Sequence, residues 1–155
     1  MKYKYILTTV FIIYLFNLSA VYSETIKISS DNLSVERDKN ISIFTGNVYA
    51  KDDKIELWSD KISIFYDETK KGVYEIIAEN NVKIVANEVT AYGNFSKYQV
   101  DNQELFIEGD VVVLEKGNKI KSDQLILDLA NSTSIMTAKP NSRVTAHIKN
   151  LNNDE

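Results

Sequence analysis

The sequence contains no cysteine, one proline and one histidine among 155 residues. The lack of cysteine excludes disulfides, thiolate metal sites and a cysteine nucleophile. The net charge of −4 at pH 7 leaves no basic excess, so we expect no nucleic-acid partner and no strong attraction to an anionic membrane surface. Stability must therefore come from the packing of the chain's own secondary structure.

Patterns of catalytic or metal-binding residues are missing as well. The lone histidine, His147, has no cysteine or carboxylate cluster near it in the sequence, which makes it a poor metal ligand. Asp60 and Asp123 are explained by turn capping at the start of a strand, and Asp52-Asp53 lacks the alternating oxygen ligands of a calcium loop. No nucleophile elbow, phosphate loop or zinc motif occurs. We predict that the protein is not an enzyme and binds no metal or cofactor.

The N-terminus has the organisation of a secretory signal peptide. Two lysines lie within the first five residues, and an apolar run from Ile6 to Ala20 follows. This run is shorter than the roughly 20 residues that cross a bilayer, so cleavage after residue 23 is favoured over an uncleaved membrane anchor. We expect a signal peptide at 1–23, one soluble exported domain at 24–149 and a frayed polar tail at 150–155.

The mature chain alternates apolar and polar residues with a period of two, which is typical of strands with one buried face. The alternation runs from Ile26 to Ile148, interrupted by clusters of Asn, Asp, Gly and Lys that favour turns. We expect Asn131–Met136 to be a loop because of its Ser, Thr and Asn content, and Pro140 to lie at an edge or bend. No stretch has a convincing period of 3.6. The sequence predicts an all-β domain of about a dozen short antiparallel strands.

Two short markers recur at a constant spacing. In three copies, a Gly or Asn that precedes a valine lies 14 residues before an Asp or Asn that restarts an apolar run. The first marker occurs as Gly46-Asn47-Val48, Asn80-Asn81-Val82 and Gly109-Asp110-Val111, and the second as Asp60-Lys61-Ile62, Asn94-Phe95-Ser96 and Asp123-Gln124-Leu125. Three equal spacings indicate a repeat of short β units.

The first marker also indicates where the strands bend. Around Gly46 the apolar positions change from odd (Ile41, Ile43) to even (Val48, Ala50). Such a change requires a bulge or bend, and Gly or Asn tolerates the positive φ involved. Bends at a common place predict a jelly-roll of two leaves with an apolar groove between them. Its end strands would stay open and could pair with other strands. The predicted docking edges comprise Ile26, Ile28, Val144, Ala146 and Ile148.

These residues resemble a known signature. Phe44-Thr45-Gly46-Asn47-Val48, then Leu57 and Asp60-Lys61-Ile62, are similar to the OstA-like domain, and the later marker copies resemble it in turn. The resemblance covers the mature chain from about Glu24 to Ile148. It implies a twisted, V-shaped β jelly-roll in the periplasm whose apolar interior shields the acyl chains of lipopolysaccharide.

The resemblance also implies partners. Copies of the domain are expected to join head to tail by strand pairing and to dock on LptC-like and LptD-like jelly-rolls, which links the inner- and outer-membrane export components. Two alternatives stay open: a membrane-anchored LptC-like component of the same system, and a structural β-repeat protein without a lipid ligand. The second is disfavoured because the repeat unit alternates between 34 and 29 residues rather than keeping one length.

Apolar residues of the central strands are the candidates for lipid contact. The alternative is that they only fill an ordinary core, as most apolar strand residues do. Which of them face the groove depends on the phase of each strand. The predicted groove residues are Ile43, Val48, Leu57, Ile62, Ile64, Ile76, Val82, Ile84, Val89, Phe95, Leu105, Ile107, Val111, Leu125 and Leu127.

Overall fold

The computed structural model describes residues 26–51, 53, 55–69 and 72–149. The expected signal peptide and polar tail lie outside these residues. Ten strands form a single antiparallel sheet, and one 3₁₀ turn lies at Arg37–Lys39. The strands are β1 (Lys27–Ser29), β2 (Asn32–Glu36), β3 (Ile41–Lys51), β4 (Ile55–Asp67), β5 (Gly72–Ala86), β6 (Val89–Gln99), β7 (Glu104–Glu115), β8 (Asn118–Asp128), β9 (Thr133–Thr137) and β10 (Thr145–His147).

The predicted all-β class is confirmed, with fewer and longer strands than expected. Consecutive strands from β3 to β8 pair with one another, β1 and β2 both pair with β3, and β9 and β10 both pair with β8. The six central strands are long because each one continues through the bend instead of ending there. The expected loop at Asn131–Met136 is wrong, since β9 occupies most of it. Within the described part of the chain, no helix is both long and apolar enough to span a membrane.

The bend follows one line across the sheet. Pairing register shifts between neighbouring central strands wherever a first marker meets a second marker. Gly46 has φ 80°, Asn80 has φ 63° and Gly109 has φ 86°, which confirms the positive φ predicted for the first marker. The bend divides the sheet into two parts. Arm A comprises β1, β10 and the portions of β3–β8 beside them, and arm B comprises β2, β9 and the remaining portions.

The sequence predicted that the inward positions of β3 change from odd to even numbers around Gly46, and this prediction is wrong. In β3 the inward residues keep even numbers on both sides of the bend, as Phe44 and Val48 do. Gly46 and Asn47 together stand opposite a single residue, Asp60, so the bulge absorbs the extra residue in β3. The change of parity occurs instead in β4, from Leu57 to Ile62.

Polar side chains fasten neighbouring strands along the bend. The Asn47 side-chain amide donates to Asp31 at 2.8 Å, and the Asn81 amide donates to Asp60 at 2.8 Å. Each carboxylate therefore accepts a hydrogen bond from the bulge of a neighbouring strand, β3 for Asp31 and β5 for Asp60. This contact gives the marker carboxylates a structural role across strands, where the sequence suggested a cap within the local turn.

The core lies between the two arms. Ile62 from arm B and Val48 from arm A are each 1% exposed and belong to one hydrophobic cluster. A sheet face is covered only when another layer packs on it. The described residues contain no second sheet or long helix, so each arm covers the inner face of the other.

Candidate functional site: the inner face and the open edges

The inner face consists of residue rows that run across the strands on both sides of the bend. In each row, side chains from successive strands lie on the same face because paired residues point the same way. The row nearest the bend contains Val48, Ser59, Val82, Gly93, Val111 and Ser122. One row in each arm flanks it. The row in arm A contains Ile28, Ala50, Leu57, Ile84, Ala91, Val113, Ile120 and Ala146, and the row in arm B contains Leu33, Phe44, Ile62, Ala78, Ser96, Ile107, Leu125 and Met136.

Burial is deepest at the centre of these rows. Ile107 and Val111 are fully buried, whereas Leu57, Leu105 and Leu127 are only partly buried and pack against the cluster from its margins. The inner face therefore has a sealed centre and apolar margins that remain in partial contact with solvent.

Polar groups on the inner face are satisfied internally. The Ser59 hydroxyl donates to the carbonyl of Lys61 at 3.1 Å, and the Ser122 hydroxyl donates to the carbonyl of Gln124 at 2.9 Å. Both bonds span the bend within one strand. No buried side-chain donor or acceptor lacks a partner among the described residues. With the arms closed, the interior offers apolar surface and no free polar group.

Most of the predicted groove residues lie on this inner face, and two do not. Ile43 pairs with Ser63 and Phe95 pairs with Glu79, which places both side chains on the outer face of arm B. Ile43 was misplaced because the phase of β3 was misread, and Phe95 because its neighbour Ser96 supplies the inward position. For the other thirteen positions the structure supports placement only, and lipid contact stays a prediction.

The sequence reading missed several inward residues. Eight residues that were not predicted to face the groove pack in the core or against it. Phe44 was missed because the apolar Ile41 and Ile43 indicate the opposite phase for β3, while the alanines give too weak an apolar signal to be chosen over their neighbours. The missed residues are Phe44, Ala50, Ile55, Val73, Ala78, Ala91, Val113 and Met136.

Each end of the sheet is an edge made of two short strands. The N-terminal edge consists of β1 and β2, and the C-terminal edge consists of β9 and β10. The predicted edge residues lie in or next to β1 and β10, although Ile28 also packs against the core. β2 and β9 were missed as edge strands. They carry exposed apolar side chains, with Leu33 56% and Ile135 59% exposed.

A carboxylate anchors the connection between β9 and β10. The backbone N–H of Lys139 donates to Asp123 at 2.7 Å. This bond, together with one from the Ser142 side chain, lowers the pKa of Asp123 because both bonds favour the charged form. Asp123 is the second-marker residue of β8, so a carboxylate at the bend also fastens the C-terminal edge, here through a backbone N–H instead of an asparagine side chain.

These features define a class of protein: a one-sheet β jelly-roll with an apolar interior, bent along a repeated marker, whose end strands pair with no further strand among the described residues. A model of the family described as "LptA/(LptD N-terminal domain) LPS transport protein" matches residues 27–133. The chain belongs to this family. The match includes β1 to β8 and stops as β9 begins, so the C-terminal edge lies mostly outside it.

A solved structure shares the fold. The chain is similar to the crystal structure of LptH from Pseudomonas aeruginosa, described as the LptA homologous periplasmic component of the conserved lipopolysaccharide transport device. The TM-score is 0.72 at 13% sequence identity, over 82% of this chain and 96% of LptH. At this identity the likeness establishes the fold alone. The comparison with curated proteins gave no match.

Proposed function

We propose that this protein is a periplasmic carrier of lipopolysaccharide that works without catalysis and shields the acyl chains between its two arms. One observation carries the proposal: the two inner rows that flank the bend contain no ionisable side chain and continue across the whole sheet. Family membership supports the cargo. The expected signal peptide would place the mature chain in the periplasm, where the LptA-type members of the family work.

Acyl chains gain from this interior in proportion to the apolar area that they bury. Each buried methylene contributes about 0.8 kcal/mol, and a row of similar apolar side chains spreads that gain evenly along a path. The centre around Ile107 is already covered by protein, so cargo enters only if the arms separate. Leu57, Leu105 and Leu127 at the margins are the first apolar contacts for an entering chain.

A pair of neighbouring residues in β7 tests lipid binding. Leu105 packs towards the interior, whereas Phe106 lies on the outer face beside Lys97 and Ile126. The protein is purified from cells with gentle detergent, and bound lipopolysaccharide is quantified by mass spectrometry. We expect Leu105→Asp to reduce the bound lipid about tenfold and Phe106→Asp to leave it near the native level. Equal retention by both folded variants would contradict the proposal.

The second half of the proposed function is bridging by edge pairing. β2 runs in the opposite direction to β9, as β1 does to β10. Placing the C-terminal edge of one copy beside the N-terminal edge of the next therefore continues the antiparallel sheet. Strand addition of this kind supplies backbone hydrogen bonds for assembly. The terminal copies would dock in the same way on LptC-like and LptD-like jelly-rolls.

The rows predict the register of this joint. Extending the arm B row places Met136 beside Leu33 of the next copy, and extending the arm A row places Ala146 beside Ile28. Paired residues in antiparallel strands have Cα atoms roughly 4.5 to 5.5 Å apart, a separation that a disulfide can bridge. The chain has no cysteine, so any engineered cross-link is free of background.

Mixing Leu33→Cys protein with Met136→Cys protein under mild oxidation should give a disulfide dimer. The control pair replaces Met136→Cys by Thr137→Cys, which shifts the position by one residue to the opposite face. A strong dimer from the first mixture and a weak one from the control supports the register. Equal yields would contradict it.

A further inference from the structure

The outer faces of the two arms carry opposite charge. On arm A, five lysines and one glutamate belong to the two outer rows. These rows are Ser29, Tyr49, Trp58, Lys83, Tyr92, Val112, Lys121 and Thr145, and Lys27, Lys51, Glu56, Val85, Thr90, Leu114, Lys119 and His147. The chain as a whole has a net charge of −4, so its net charge does not reveal this basic face.

On arm B, six carboxylates and two lysines belong to the three outer rows. The charged members are Glu36, Lys61, Glu75, Glu79, Lys97, Glu104, Glu108 and Asp128. One of the lysines, Lys61, is paired with Glu79 at 2.6 Å. The outer face of arm B is therefore acidic.

Both outer faces also present apolar and aromatic side chains. On arm A the rings of Tyr49 and Trp58 lie 5.1 Å apart, with the Lys83 ammonium 4.5 Å above Trp58. On arm B the rings of Phe95 and Phe106 lie 6.4 Å apart. Each face thus combines an aromatic centre with charges of one predominant sign, and no described element covers either face.

We propose that copies of this chain also associate face to face, with the basic outer face of arm A in one copy against the acidic outer face of arm B in another. Two sheets stack when apolar side chains of both meet, and opposite charges around them select this pairing over contacts between like faces. This contact uses outward side chains, and neither the groove nor the backbone hydrogen bonds of the edge strands, so it does not depend on the proposed function.

The geometry of the contact fixes the form of the assembly. The two faces lie on opposite sides of the same molecule, so the contact is heterologous and each added copy leaves both kinds of face free. Such a contact forms an open series instead of a closed dimer. We expect weight-average mass to rise steadily with protein concentration at low ionic strength. Exposed charges are screened over about 3 Å in 1 M salt, against about 30 Å at 0.01 M, so high salt should reverse the association.

A charge-swap experiment tests the pairing by sedimentation velocity. One triple variant carries Lys83→Glu, Lys119→Glu and Lys121→Glu, and the other carries Glu75→Lys, Glu104→Lys and Glu108→Lys. Each variant alone has two outer faces of the same sign, and its apparent dissociation constant should rise about tenfold or more. Mixing the two variants restores opposite signs and should restore association. A matched control reverses Arg37, Lys116 and Lys139 to Glu, outside both faces, and should associate as the native chain does.

Other outcomes would overturn the proposal. If the apparent dissociation constant is unchanged by the charge swaps, or if the two variants do not associate when mixed, these faces do not meet. If the native chain stays monomeric but binds vesicles of anionic phospholipid through the same three lysines, the partner of arm A is a membrane surface and not a second copy. The disulfide between Leu33→Cys and Met136→Cys, placed in each triple variant, reports edge joining separately and should be unaffected.

Discussion

The strands in the middle of the sheet continue through the bend, whereas the strands at its ends stop there. In the middle, β4 and β7 pass through the bend unbroken and bury Ile62 and Ile107 almost completely. At the ends, the chain breaks at the bend into pieces of five and three residues. A central strand is hydrogen-bonded on both sides, which holds the bulge in place, while an edge strand has one neighbour and stops there.

From this difference we infer separate roles for the two regions. The middle of the sheet is buried between the two arms. The ends expose Leu33 and Ile135 on edge strands that have one partner each in the described part of the chain. Natural proteins usually shield such edges. We interpret the middle as the lipid path and the ends as joints.

The largest expected effect is on the free energy of unfolding, when one isoleucine from each region is replaced by alanine. Ile107→Ala should lower the free energy of unfolding by about 3 kcal/mol, because the buried site would be left with a cavity. Ile135→Ala, at an exposed edge position, should cost less than about 1 kcal/mol. Urea unfolding followed by circular dichroism measures both. Similar losses would contradict the difference between middle and end.

A second comparison concerns two glycines with the same backbone conformation. Gly109 at the bend has φ 86° and Gly117 in a turn has φ 85°. An added Cβ would come within 2.8 Å of Asn94 Cβ at Gly109, but no closer than 3.3 Å to the flexible Lys149 side chain at Gly117. We expect Gly109→Ala to cost about 2 kcal/mol and Gly117→Ala about 1 kcal/mol in unfolding free energy. The reverse order would mean that close packing at the bend is unimportant.

A third comparison separates folding from joining. Leu33→Lys places a charge on the exposed β2 edge and should change the unfolding free energy by no more than about 0.5 kcal/mol. The same change should strongly reduce edge joining, because a lysine at an edge opposes strand addition. The yield of an Ile28→Cys to Ala146→Cys disulfide, with and without Leu33→Lys, measures the effect. An undiminished yield would show that β2 is not part of the joint.

The smallest effect is local and depends on pH. The pKa of Asp123 is lowered in the folded chain by its hydrogen bonds from Lys139 and Ser142. The stabilising contribution is therefore present above the ordinary carboxyl pKa and is lost as pH falls through the lowered folded value. Titration of the Lys139 amide by NMR should show this transition in the native chain, and Asp123→Asn should abolish it. A transition that persists in the variant would assign it to another group.

Much of the fold follows from short-range patterns. Alternation predicts strands because only a period of two buries one face, and Gly46 and Gly109 mark the bend because few residues adopt their φ. The phase of β3 could not be predicted, since Ile41 and Ile43 are more apolar than the inward Ser42. That choice depends on which strand holds the bulge, and only the pairing register decides it.

Two other features lie beyond the reach of local sequence. β9 is rich in Ser and Thr and becomes a strand because β8 offers it a free edge. The charge separation between arms arises because residues such as Lys83 and Lys121, far apart in sequence, are brought into one row by pairing. Net charge averages over both arms, so it does not reveal the basic face of arm A.

The central claim, that lipid lies between the arms, is tested most directly by photo-crosslinking in cells at adjacent residues of β5. Ile84 belongs to the inner face and is 8% exposed, while Val85 pairs with Glu56 and Thr90 on the outer face. A photoreactive amino acid replaces each in turn, and adducts are detected with an antibody against lipopolysaccharide. We predict a lipid adduct at Ile84 and none at Val85. Adducts at neither position, or at Val85 alone, would contradict the account.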